Sequence, residues 1–186
     1  VEDIGERWIM VGGVVWKKQS CCAWAHAGLR GAEMIVSQHG LSAEDIARIR
    51  VECYDDAFRL GTKPPETTEE AQFNFAWPLA AVIVDGRVGP QQVLESRLSD
   101  PRIQLRTSRD WSFCRFASAV TIETHDGRSF SSGVVEAEIQ FPQTYWDAPK
   151  LEAKFREVAG LVLDAARVER LIEMARRFDE VADVRE

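Results

Sequence analysis

The residues best suited to chemistry in this chain are three histidines, four cysteines and a pair of lysines ahead of a helix. Among the histidines, His26 stands apart. It falls in the first turn or so of a predicted helix, on a flank with Arg30, Glu33 and Ser37. Backbone amides and the positive end of the helix dipole disfavour an imidazolium there, which leaves a neutral ring able to accept a proton near pH 7. His39 lies beside a helix-ending glycine and His125 in a hairpin loop, positions expected to be exposed and inert. Cys21, Cys22, Cys53 and Cys114 contain no Cys-x-x-Cys pair, so neither a zinc site nor a disulfide framework is indicated. The expectation is small packed thiols in a reducing, cytoplasmic setting.

A net charge of −7 disfavours a duplex nucleic-acid binder, which needs a basic face to displace counterions. It leaves room for a small anionic ligand held by a few local cations. No stretch approaches the ~20 apolar residues of a membrane span. The opening residue is Val1, not Met, and no signal peptide follows it, so the chain is expected to be a piece of a longer protein.

The elements that must position these groups follow from pattern. Residues 7–16 are apolar and β-branched around Gly12 and Gly13, and read as strand material bent at the glycines. Cys22, Ala25, Leu29, Ala32 and Val36 recur at spacings of three and four, drawing a small-residue helical stripe that ends at Gly40. Ser42 and Asp45 predict a capped turn leading into a half-buried strand, 46–53, in which Ile49, Val51 and Cys53 alternate with charged residues. Thr67 and Glu70 open a helix expected to run from about 68 to 85, kinked or broken at Pro78. Pro90 begins a short helix to about Leu98.

Residues 116–124 and 129–136 flank His125-Asp126-Gly127 as a hairpin. A three-residue loop with Gly127 left-handed sets Ile122 against Phe130 and Ser118 against Val134, which gathers more apolar side chains on one face than a two-residue turn does. The last third is helical, with Leu151, Phe155, Val158 and Val162 on one stripe. Asp164 caps a final helix whose inner face holds Val168, Leu171, Ile172, Ala175 and Phe178. The sum is an α+β fold, a small antiparallel sheet packed with helices over 1–148, with C-terminal helices over 149–186.

Several of these segments resemble motifs of the MmgE/PrpD family. KKQSCCAWAH, with Lys17, Cys22 and His26, is similar to the family's Lys-Pro-Tyr-Pro-x-Cys, three residues, then His, although Lys18, Gln19 and Ser20 replace Pro-Tyr-Pro. EAQFNFAWPLA, beginning at Glu70, resembles Glu-Ala-x-(Phe/His)-Ser-x-x-Tyr, with Asn74 for the Ser and Trp77 for the Tyr; Asp85-Gly86 also fits. Asp100-Pro101-Arg102-Ile103 resembles Asp-Pro-x-(Ile/Val), and Leu151, Lys154 and Phe155 match Leu-x-x-Lys-Phe. The motifs occur in the right order along nearly the whole chain.

The resemblance implies the smaller, C-terminal lid domain of an enzyme whose larger helical N-terminal domain is absent, with the site in the cleft between them. Residues 149–186 are then expected to pack toward that absent domain. The resemblance further implies a lyase or isomerase that moves protons beside the carboxylates of a small di- or tricarboxylate, as 2-methylcitrate dehydratase or cis-aconitate decarboxylase does. No obligatory metal or cofactor is implied, and the assembly expected is a homodimer. By the same resemblance His26 is the catalytic proton donor or acceptor, while Lys17 and Trp77 bind substrate. An indole N–H donates but does not ionise usefully, which removes the group that a Tyr-dependent step would use. The alternative expectation is a non-catalytic ligand-binding or oligomerisation module derived from the same fold.

Overall fold

The computed structural model describes residues 16–100, 102, 107–109, 117–137, 139–140 and 147–180. The strand expected over 7–16 falls outside them except for its last residue, as do Phe116, Pro101 and Ile103. The chain divides into one unit of Val15–Ile139 and a second that contains Gln140–Glu186.

The first unit is α+β. A two-residue strand β1 (Trp16–Lys17) leads through a 3-10 turn at Ala23–Ala25 into helix α1 (His26–His39). Gly40, at φ 60°, closes α1 by returning its N–H to the Val36 carbonyl, a backbone conformation that a side chain resists. Ser42 then donates both its N–H and its hydroxyl to Asp45 Oδ2, each at 2.8 Å, forming the expected capped turn before β2 (Ile46–Cys53). In β2 the buried residues are Ile49, Val51 and Cys53, as the alternation predicts.

The sheet order is β3-β2-β4-β5, with β3 at Thr107–Arg109, β4 at Ala117–Thr124 and β5 at Ser129–Glu136. β2, β4 and β5 are antiparallel, with Ile49 opposite Ile122 and Val51 opposite Val120. β3 runs parallel to β2, an addition that the sequence pattern did not reveal.

The hairpin begins in the expected register and then departs from it. Gly127 is left-handed at φ 87°, and Ile122 faces Phe130. Beyond Thr121 the pairing slips, so that Ser118 faces Val135 rather than the expected Val134. Gly133, left-handed at φ 63°, supplies the extra residue. Within this bulge the Val120 N–H donates to Ser132 Oγ at 3.0 Å, a side-chain substitute for a ladder bond.

A second correction concerns the helix expected over 68–85. It is two helices, α3 (Thr68–Gln72) and α4 (Ala76–Asp85), after a short α2 (Asp55–Phe58). The break lies before Pro78, not at it. Phe75 N–H donates to Gly61 O at 2.7 Å and Gly61 N–H to Phe73 O at 3.1 Å, so the chain at 73–75 bonds sideways instead of helically. Pro78 sits in the first turn of α4, where the N–H it lacks has no helical partner to lose. The helix expected from Pro90 is likewise divided, into a 3-10 turn at Pro90–Val93 and helix α5 (Glu95–Leu98), by the extended Leu94.

Helix α1 lies on β4 and β5 and beside α4. Its buried face is broader than the predicted stripe and includes Gly28, Gly31 and Ile35. A Cβ on Gly28 would stand 2.7 Å from Phe75 Cζ, and one on Gly31 would stand 2.9 Å from Val120 Cγ2 and 3.0 Å from Ser132 Oγ. Those glycines let the helix backbone approach the sheet and α4 closely.

The second unit pairs α6 (Ala148–Ala159) with α7 (Ala165–Arg176). Asp147 and Asp164 cap them, accepting from Lys150 N–H at 3.1 Å and Arg167 N–H at 2.9 Å. Of the expected inner face, Val168 and Ile172 are buried, whereas Leu171, Ala175 and Phe178 are exposed, Phe178 at 64%. It lies in a 3-10 turn, Phe178–Glu180, past the end of α7 and off its face.

Gly31→Ala tests the close approach. The added methyl overpacks against Val120 and Ser132 at a cost of about 1–3 kcal/mol, offset by ~1 kcal/mol of helix propensity. A net loss of up to about 2 kcal/mol is expected in urea denaturation; a variant more stable than the parent would contradict it.

Candidate functional site

The segment from Lys17 to His26 is held from several sides. Gln19, only 6% exposed, accepts the Val88 N–H on Oε1 at 2.9 Å, and Ser20 N–H donates to Val88 O at 2.8 Å. Cys22 N–H donates to Gln72 O at 2.8 Å, and Lys18 pairs with Glu33 across the surface at 3.0 Å. Every buried main-chain donor needs an acceptor, so these bonds fix where the segment runs.

The fixed path turns the Cys21 carbonyl toward both predicted polar residues. Lys17 Nζ donates to it at 3.0 Å, and His26 Nε2 lies 3.4 Å from it. A carbonyl oxygen only accepts, so in this contact Nε2 carries the proton. At that length the bond is weak and easily exchanged. His26 is the first residue of α1 and 3% exposed, whereas Lys17 is exposed. An ammonium open to solvent and an imidazole behind it thus share one anchor.

Trp77 occupies a different environment. It is 3% exposed, with its backbone N–H on Asn74 Oδ1 at 2.8 Å and its indole N–H on Gln92 O at 2.9 Å. Its one side-chain donor is committed, so in this conformation Trp77 braces the fold and offers a ligand no hydrogen bond. The Gln92 side chain continues the network, accepting Gly89 N–H at 3.0 Å and donating to Asp85 Oδ2 at 3.1 Å. Asp85 in turn receives Arg97 Nη2 at 2.7 and 2.6 Å on its two oxygens, and Arg97 also bonds Asp100. The Arg102 side chain and backbone N–H hold the Asp100 carboxyl well below the usual carboxylate range. Hydrogen bonds therefore run from Gln19, two residues after Lys17, to Val88, and from the adjoining Gly89 through Gln92 to the Trp77 and Asp100 motifs.

The other polar candidates are structural. His39 is exposed and stacks on Phe130 at 4.1 Å, and His125 is exposed at the hairpin tip. Burial, then the nearby Asp55 charge, pushes the Cys53 thiol up to about 11, which suits a packed thiol and not a nucleophile. Gln19, Gln92 and Arg97 escaped the sequence reading, because lone polar residues in short turns carry no periodic signal.

A family model of the MmgE/PrpD C-terminal domain matches residues 20–180. The chain belongs to the MmgE/PrpD family. The MmgE/PrpD family comprises dehydratases and related enzymes, generally lyases or isomerases. No curated protein matches the chain. The matched span includes His26 and Trp77; Lys17 lies just ahead of it, and its link to the site is the shared Cys21 carbonyl. Among the described residues, no group of three or more His, Cys, Asp or Glu could hold a metal ion, and no helix is long and apolar enough to cross a membrane.

Trp77→Phe removes the donor from the buried Gln92 carbonyl. It is expected to cost about 1–3 kcal/mol of stability in urea denaturation. A cost under about 0.5 kcal/mol would mean that the indole bond braces nothing.

Proposed function

We propose that this chain is the C-terminal part of a cytoplasmic, homodimeric lyase or isomerase that transfers protons on a small di- or tricarboxylate, in the manner of 2-methylcitrate dehydratase or cis-aconitate decarboxylase. The observation that carries this reading is the convergence of Lys17 Nζ and His26 Nε2 on the Cys21 carbonyl, at 3.0 and 3.4 Å. Lys17 has three donors and spends one on Cys21, leaving two for a substrate carboxylate. An anion held there brings the carbon beside its carboxylate toward the imidazole. His26 gives up its long contact and donates the Nε2 proton to the substrate, or, in its other tautomer, accepts one at Nε2. No metal or cofactor enters this scheme.

The rest of the site belongs to a helical partner domain. The α6–α7 pair supports such a partner, since Val162, at 86% exposed, and Phe178 leave apolar surface for a neighbour to cover. A second reading, a ligand-binding or oligomerisation module without catalysis, is favoured by the burial of the His26 ring and the committed Trp77 donor.

The test is turnover by the full-length protein on 2-methylcitrate, cis-aconitate and related acids, followed by alkene absorbance. His26→Gln should lower turnover by ~10²-fold or more, and an effect below about threefold would remove the ring from the mechanism. Lys17→Met should mainly raise KM, because it deletes a contact made in ground and transition state alike; an unchanged KM would exclude it from binding. Thermal stabilisation by these acids with no turnover of any would favour the module.

A further inference from the structure

We propose that Gln19 is a positioning residue, whose buried carboxamide sets Lys17 and His26 against the Cys21 carbonyl by fixing the loop between them to Val88. The inference rests on the proton-transfer reading above and adds to it the group that holds the site in register.

Three observations carry it. Gln19 lies two residues after Lys17 and two before Cys21, within the segment that both candidate groups address. Its side chain is buried, and its Oε1 accepts the N–H of Val88, itself 1% exposed, so the amide has no ready solvent substitute for that acceptor. The same Val88 receives Ser20 N–H on its carbonyl, which makes the grip two-ended and sets the direction of the chain as well as its place.

The other fastenings described for the segment do not do this work. Lys18 and Glu33 pair at the surface, where solvent screens them. The Ser20 and Cys22 bonds use main-chain atoms that any residue supplies. Gln19 alone among these uses a buried side chain that only a few residue types can replace. Neither Lys17 Nζ nor His26 Nε2 bonds to Gln19, so its influence on them passes through the backbone.

Two near-isosteres in the full-length protein decide the matter. Gln19→Met keeps the length and volume but removes the acceptor; Gln19→Glu keeps the acceptor but risks burying charge. If Gln19 only filled space, Met would be the milder change. If its oxygen positions the loop, the order inverts: Gln19→Met lowers kcat/KM by ~10-fold or more, and Gln19→Glu retains it within about threefold. A second readout needs no turnover. In protein labelled with 15N-histidine, the His26 ring signals should move in Gln19→Met and stay near their wild-type positions in Gln19→Glu. Unmoved His26 signals in Gln19→Met, or a Met variant as active as the Glu variant, would overturn the proposal. Wild-type protein that turns over none of the acids would sink the proton-transfer reading instead, and the His26 signals would still decide the role of Gln19.

Discussion

The arrangement around the site depends on the two-ended hold on Val88. Its N–H and its carbonyl are both taken by the segment that follows Lys17, and the next residue, Gly89, gives its N–H to the Gln92 side chain. From Gln92 the bonds spread to Trp77 and to Asp85, and from Asp85 to Arg97 and Asp100. Residues far apart in sequence are thereby tied to one short stretch of main chain. Because these groups are largely buried, each bond must be present for its neighbours to remain satisfied.

That hold has meaning only because α1 is itself in a defined place. Gly28 and Gly31 let the helix settle against Phe75 and Val120 at distances that a methyl group would violate. The helix carries His26 at its first position, so the depth of its seating fixes the ring, while the Val88 grip fixes the carbonyl that faces it. One partner is located by packing, the other by hydrogen bonding.

Much of the fold was legible in sequence. The alternation of Ile49, Val51 and Cys53, the Gly40 stop, the Ser42 and Asp164 caps and the Gly127 turn all report local physics, and all reappear in the structure. What eluded the pattern was non-local. The sideways bonds of Gly61 break a helix that propensity alone would continue through Phe73–Phe75. The bulge at Gly133 shifts a register that apolar pairing alone would have kept straight, and the parallel strand at 107–109 has too few residues to show a period. Of the site, His26 was named from its type and place as well as from a family resemblance, whereas Lys17 and Trp77 were named from the resemblance alone, and the fold spends the Trp77 indole donor internally. Gln19 left no mark in spacing, since its partner Val88 lies 69 residues away.

The left-handed Gly133 has a consequence beyond pairing. Among the described strands β5 is the outermost on its side of the sheet, and an uninterrupted outer strand presents a row of amides and carbonyls on which a foreign strand can grow. An extra residue in its middle twists the rim and spoils the even spacing that such growth requires. The glycine that spoils a tidy hairpin thus makes the rim a poorer template for edge-to-edge pairing.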